Sequence, residues 1–398
     1  MYVGWDWASQ NHDVTVVDEA GAIQARFAIG HDEASLDGVL RDLALLAAPG
    51  ELPVAIERPD GIIVERLLAA GHPVVPVHPN AFHAARLRWG AARAKSDPAD
   101  SYMLADFLRT DSHRLRRLRP LDPVTRELQA LVRMRDDHVT ARTAATNQLH
   151  ALLEAHWPGA NAIFSRLGST IAMAFLADYP TPESAARLGE ARLAMFCRRH
   201  SYRGGRTPTE LLQRLRTAAV APTGVDPTVL AELVRAQSML IESTLRTIAH
   251  LYAAIGAALL AHPKAELLSP LPRIGEINLA QILAEIGPLF DRCDHADQAA
   301  AACGVAPVTR QSGKSRNVQF RFSSNARARV ALTCFADNSR HSSPWAHELY
   351  ASARRRGIRH PHAVRIVARA WLRVMWACWQ TNTVYNSADH AGEARFAA

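Results

Sequence analysis

Four carboxylates in the first hundred residues, Asp6, Glu57, Asp97 and Asp100, have the types and placements needed for metal-assisted chemistry. Asp6 falls within a strand pattern over Tyr2–Ala8, where Val3, Trp5 and Trp7 alternate to one face and Gly4 and Asp6 to the other. A polar group buried in a strand costs about 2–7 kcal/mol unless something pairs with it, and a charge costs more. A divalent cation would compensate it directly. Glu57 follows the apolar run Val54–Ile56, at the C-terminal end of a second strand pattern. Asp97 and Asp100 open a helix in Lys95-Ser-Asp-Pro-Ala-Asp100, and the i, i+3 spacing puts both on one helical face. Taken alone, Asp97 before Pro98 is a natural N-cap, and Asp100 suits the first turn by the helix dipole. As a set, the four are expected to converge on two Mg2+ ions, or Mn2+ in their place, able to activate a nucleophile and stabilise a leaving oxygen in phosphodiester cleavage.

A second candidate lies far along the chain, in Cys303-Gly-Val-Ala-Pro307-Val-Thr-Arg-Gln-Ser312-Gly-Lys-Ser-Arg316. Ser312 stands in a polar loop beside Gly313, flanked by Arg310, Lys314 and Arg316. A serine hydroxyl is a weak nucleophile at its own pKa, and nearby cations could activate it toward phosphate. On spacing alone, a basic glycine loop that merely touches nucleic acid is the plainer reading, and Ser315, Ser323 and Ser324 are rivals. Other segments suit phosphate contact: Arg114, Arg116 and Arg117 after the first domain, the triplet Arg354, Arg355 and Arg356, and the helix–glycine turn–helix signal Leu271-Pro-Arg-Ile-Gly275. Arg365, Arg369 and Arg373 accumulate on the last helix beside Trp371, Trp376 and Trp379. There a solvated charged face and core aromatics are the ordinary expectation.

The elements that must position these residues begin with strands at Tyr2–Ala8, His12–Val17 and Ala22–Ile29, the last two joined by the hairpin signal Asp18-Glu-Ala-Gly21. A helix with Leu36, Leu40, Leu43 and Leu45 follows, then a strand at Leu52–Ile56, a helix at Gly61–Ala70, a strand at His72–Val77 and a helix at Pro79–Trp89. Three antiparallel strands, then helix–strand–helix–strand, is the order of the ribonuclease H-like α/β fold. Two long helices follow, Glu127–His156 and one from Asp226-Pro227 to about Ala261, with near-heptad apolar stripes that can pair within the chain or across a dimer. Residues 158–225 between them read as an insertion of unreadable shape. The expected domains are 1–120, a helical region 121–265, a mainly α-helical part 266–385 and a mobile tail 386–398.

At 398 residues and 48% hydrophobic, the chain can build substantial cores. Its net charge of +8 is carried almost wholly by arginine, which suits bidentate phosphate contacts and a polyanionic partner. Five cysteines without a CxxC pair argue against a disulfide framework or a zinc site. No apolar run reaches the ~18 residues of a membrane span, and the N-terminus lacks a signal-peptide layout, so a cytoplasmic location is expected.

These blocks together resemble the DEDD transposases of the insertion-sequence family one-hundred-and-ten, the bridge-RNA-guided recombinases. The match runs through Gly4-Trp-Asp6, Ile56-Glu57, Asp97-x-x-Asp100-Ser-x-x-Leu-Ala105, Arg142 and Asn147, Leu-Pro-Arg-Ile-Gly275 and Gly304-Val-Ala-Pro307…Gln311-Ser312-Gly313. The resemblance implies a RuvC-like domain carrying Asp6, Glu57, Asp97 and Asp100, a coiled-coil dimerisation segment, and a C-terminal transposase domain. It implies that Ser312 attacks a DNA phosphate to form a phosphoserine link, with the acidic site of another subunit completing the centre. It also implies donor and target DNA as substrates, a noncoding guide RNA, a dimer or tetramer, and a bacterial, nucleoid-associated setting. Rival readings are a Holliday-junction-type nuclease using only the carboxylates and water, a non-catalytic nucleic-acid scaffold and, as a minor alternative, an actin-like ATPase, for which no glycine-rich phosphate loop is found.

Overall fold

Strand alternation in the first unit sorts its side chains onto two faces. A computed structural model describes residues 1–89, 97–219, 225–313 and 315–390, and the side chains of Asp97, Arg310 and Arg316 fall outside that description. The chain divides into two units, Met1–Leu121 and Asp122–Ala398. In the first, the order is β1 (Tyr2–Asp6), β2 (Asn11–Val17), β3 (Ile23–Gly30), α1 (Glu33–Leu46), β4 (Val54–Ile56), α2 (Ile62–Ala69), β5 (Val74–Pro76), α3 (Pro79–Ala85) and α4 (Asp97–Asp111). The sheet order is β3-β2-β1-β4-β5, with β1 antiparallel to β2 and parallel to β4. Val3, Trp5, Val14, Val16, Val54 and Ile56 point to one face, where Leu36, Val39 and Leu43 of α1 and Ile63, Val64 and Leu67 of α2 cover them. Ala55 and Val75 point to the other, packed with Phe82 and with Leu104, Phe107 and Leu108 of α4.

Local signals account for these elements. Asp32 caps α1 by accepting from the Ser35 N–H, and Asp18 accepts from the Ala20 and Ala22 N–H groups at the β2–β3 turn, where Gly21 takes φ 86°. Gly4 is required by close packing: a Cβ there would lie 2.0 Å from the Ser101 carbonyl oxygen and 2.4 Å from the Ala105 nitrogen. The strands expected at His72–Val77 and Leu52–Ile56 are shorter than their apolar runs, because only Val74–Pro76 and Val54–Ile56 pair.

In the second unit, α5 (Pro123–His156) and the helix Pro227–Ala261 run antiparallel within the chain: Thr125 bonds His262 at one end, and Gln237 donates to the Ala145 carbonyl further along. Each starts with an Asp cap and a proline, Asp122-Pro123 and Asp226-Pro227. By length and composition alone, the helix Pro227–Ala261 is apolar enough over an 18-residue window to cross a membrane, although Arg246 and His250 interrupt its apolar run. Its alanine-rich C-terminal half raises the mean hydropathy.

The insertion 158–225 is helical where described, with Pro158–Ile163, Thr170–Asp178, Pro182–Ala185, Glu190–Arg199 and Pro208–Thr217. These helices close their own core over the ends of the long pair, through Trp157, Phe164, Phe175 and Phe196. The C-terminal part gathers Phe290, Phe335, Trp371, Met375 and Trp379 into another core. Trp371 and Trp379 are core residues, with Trp371 Nε1 donating to the buried Ser339 hydroxyl at 2.8 Å. Within the expected mobile tail, His390 packs against Trp345 and Trp371, and residues 391–398 lie outside the described part.

Candidate functional site

Two sites emerge, one in each unit. In the first, parallel register pairs Val3, Gly4 and Trp5 of β1 with Val54, Ala55 and Ile56 of β4, so Asp6 and Glu57 come next, side by side at the strand ends. Adjacent strands lie about 4.8 Å apart. Both residues have the parity of Gly4 and Ala55, which places them on the α4 face. Beyond them the strand ends are held together by the Arg58 guanidinium over the Trp7 ring, 4.2 Å from its centroid.

Helix α4 runs opposite to β1. Its C-terminal Arg109 reaches the Glu19 carbonyl at the β2–β3 turn, near the start of β1, and Ser101 meets Thr15 at 2.7 Å. The N-terminal residues Asp97 and Asp100 therefore lie at the end of the sheet where Asp6 and Glu57 stand. Asp100 is only 2% exposed; Arg86 donates to its Oδ2, while its buried Oδ1 has no hydrogen-bond partner among the described residues. Among the described residues no three His, Cys, Asp or Glu groups are gathered closely enough to hold a metal ion, and the Asp97 side chain is outside that description.

Two members of this site are not legible in the sequence. Asp13 of β2 pairs directly with Asp6 and shares its face, adding a carboxylate. Its strand alternation could have signalled it, but only once the register was known. Arg86 comes from the short turn of helix after α3 and stacks on Phe82, 5.0 Å from its ring centroid.

In the second unit, Ser312 is not in a loop but ends a strand. β6 (Val308–Ser312) and β7 (Ser315–Gln319) form an antiparallel hairpin with Ser312 opposite Ser315 and two residues between the strands. Gly313 takes φ 54°, the left-handed region that such tight turns demand. Ser312 is exposed at the tip. The side chains of Arg310 and Arg316 and the whole of Lys314 lie outside the described residues.

The remaining basic candidates are spread. Arg114 is exposed and 3.7 Å from Asp111, and Arg116 and Arg117 are exposed on a segment whose Leu118 N–H bonds the Val74 carbonyl at the edge of β5. Gly275 precedes the helix Glu276–Glu285, with open space around it. That first turn already holds the Glu276 carboxylate, which accepts from the Tyr252 hydroxyl at 2.7 Å. Arg354, Arg355 and Arg356 are exposed at the end of the helix Pro344–Arg355, with Arg355 paired to Glu348.

Comparison with known proteins bears on both sites. A transposase family named for the DEDD motif matches residues 3–158, the segment that holds all four carboxylates, and the transposase IS116/IS110/IS902 family matches residues 265–351, around Ser312. The mini-circle putative transposase for IS117 of Streptomyces coelicolor is 32% identical over 394 residues, covering 96% of this chain and 94% of that one. The IS900 uncharacterized 42 kDa protein of Mycobacterium paratuberculosis is 28% identical over 99% of both chains. The IS110 uncharacterized 43.6 kDa protein of Streptomyces coelicolor is 28% identical over 75% of this chain and 74% of its own. With acidic residues on adjacent strand ends, a serine at a hairpin tip and these matches, the chain belongs to the IS110 family of transposases, enzymes that recombine DNA.

Proposed function

We propose that this transposase cuts and rejoins DNA through a serine-linked intermediate, with Ser312 as nucleophile and Asp6, Glu57, Asp97 and Asp100 as the ligands of a divalent cation. The observation that carries the metal half is the buried Oδ1 of Asp100, without a hydrogen-bond partner among the described residues, at the sheet end shared with Asp6 and Glu57. A buried carboxylate oxygen without a donor is unfavourable unless a ligand supplies one. Carboxylate oxygens are hard donors, so the set suits Mg2+ or Mn2+ rather than a softer metal. A cation bound there would offset negative charge developing at the phosphate. The sheet order agrees with a ribonuclease H-like, RuvC-like reading of residues 1–120.

For the serine half, the support is the exposed position of Ser312 at a tight hairpin tip whose sequence is rich in cations. Its Oγ would form a bond to phosphorus, its proton would leave, and the scissile phosphorus–oxygen bond would break to release a deoxyribose hydroxyl. Completion of this centre by the acidic site of another subunit of a dimer or tetramer, with the long helical pair of 121–265 as the coiled-coil contact, follows the family pattern. Guidance by a noncoding bridge RNA, with donor and target DNA as substrates, rests on the family alone, as does a nucleoid-associated location.

Incubation with element-end DNA and Mg2+, followed by denaturing electrophoresis, tests the reading. A protein–DNA adduct is expected from the native protein and not from Ser312→Ala or Asp6→Asn. Cleavage that persists in Ser312→Ala without an adduct would favour a Holliday-junction-type nuclease using carboxylates and water. No cleavage and no adduct from the native protein, with DNA binding unchanged in Asp6→Asn, would leave only a nucleic-acid scaffold.

A further inference from the structure

At the base of the Ser312 hairpin, a cleft of about 520 Å3 opens between Pro307, the Phe320 and Arg321 segment, and one face of the last helix, His360–Thr381. Its cations differ in how they are compensated. Arg369 and Arg373 both donate to Asp297 at 3.0 Å. Arg365, half-buried in the same wall, has no carboxylate partner among the described residues. Its guanidinium lies 4.9 Å from the Phe320 ring centroid, and that of Arg329 lies 4.8 Å from the same centroid. Arg329 is held there by the Arg321 carbonyl at 3.2 Å and the Ser324 hydroxyl at 3.0 Å, and Arg321 Nε is held by the Ala306 carbonyl at 3.2 Å. None of these acceptors carries a charge.

Gly304 makes this approach possible. It takes φ 69°, and a Cβ there would lie 2.4 Å from the Ser324 Oγ and 3.0 Å from an Arg329 nitrogen. Like charges crowded at one ring repel, and burial removes the water that would screen them. Consistent with that, burial and then the neighbouring Arg329 charge push the Arg365 guanidinium below its ordinary pKa. An anion in the cleft would relieve both penalties.

We infer that this cleft is a phosphate subsite, in which Arg365 and Arg321 hold a nucleic-acid backbone phosphodiester a few nucleotides from the one presented to Ser312. The distance follows from the hairpin: the four residue steps from Val308 to Ser312 span about 13 Å at strand rise. Guanidinium suits the phosphodiester by its planar, bidentate donors. The inference rests on the proposed serine chemistry for its geometry, but not for its test.

The test is salt-dependent binding of the full-length protein to two labelled probes, a short duplex DNA and a single-stranded RNA, with Arg365→Gln and Arg365→Lys compared with native protein. Arg365→Gln is expected to weaken binding about ten-fold at moderate salt and to reduce the slope of log affinity against log salt by about one. Arg365→Lys should recover most of the slope. A changed slope on the DNA probe, the RNA probe or both supports the subsite and identifies whose phosphate it holds. Unchanged affinity and slope on both probes would overturn it. If native protein forms no covalent adduct, the serine reading fails while the slopes still decide this one.

Discussion

Arg86 donates to Oδ2 of Asp100, and the buried Oδ1 of the same carboxylate has no partner among the described residues. One buried anion is thus half compensated by the protein and half open to an incoming cation. Removing one partner of a buried ion pair typically costs about 3–5 kcal/mol. Arg86→Ala should therefore lower the melting temperature in chelator, and Mg2+ should restore more of it than the ion adds to native protein. Thermal melts with and without Mg2+ check this. An equal Mg2+ increment in both proteins would separate Asp100 from the metal site.

Gly4→Ala should damage the same site from the opposite side. The added methyl would meet α4 backbone at 2.0 and 2.4 Å, and backbone cannot rotate away as a side chain can. Overpacking of this kind costs about 1–3 kcal/mol, and more where nothing yields. Helix α4 must shift, carrying Asp97 and Asp100 with it, so cleavage should fall by more than the loss of folded protein explains. Activity per folded molecule, with folding followed by circular dichroism, is the measure.

Acid should destabilise the fold through buried histidines. Burial holds His12, His72 and His262 below the ordinary imidazole value of 6.5, with the neighbouring His31 adding to the effect at His12. The folded state resists their protonation and the unfolded chain does not. The stability they contribute is therefore complete above about pH 6.5 and declines as pH falls through that value toward the lower folded-state pKa values. His262→Gln should flatten part of this decline in chemical unfolding followed from pH 8 to 5, since Gln can still bond Thr125.

Gly313→Ala probes the hairpin tip. A left-handed φ costs a non-glycine residue about 1–2 kcal/mol, and open space around Gly313 means the cost is conformational rather than steric. The turn should loosen without global unfolding. Adduct formation is expected to drop several-fold while the melting temperature stays within a few degrees of native.

Much of the first unit was legible because its strands alternate cleanly and its turns carry Asp and Gly in the positions that need them. Asp6, Glu57 and Asp100 could be grouped from strand and helix periodicity alone. Asp13 could not, since its place opposite Asp6 depends on register, and Arg86 could not, since it comes from a turn with no periodic signal. The Ser312 hairpin reads as a loop in sequence because Thr309, Arg310 and Gln311 offer no apolar alternation. In the insertion, Phe164, Phe175 and Phe196 belong to short helices broken by Gly and Pro, and only the assembled core relates them. Arg365 reads in sequence as part of a solvated arginine face; that it has no carboxylate partner among the described residues is a tertiary fact.

The most direct test of the account is the identity of the residue that carries DNA. Adduct trapped with Mg2+ and element-end DNA, digested with protease and nuclease, should yield one nucleotide-linked peptide, and fragmentation should place the linkage on Ser312. Linkage on Ser315, Ser323 or Ser324, or an adduct formed equally well by Ser312→Ala, would contradict it.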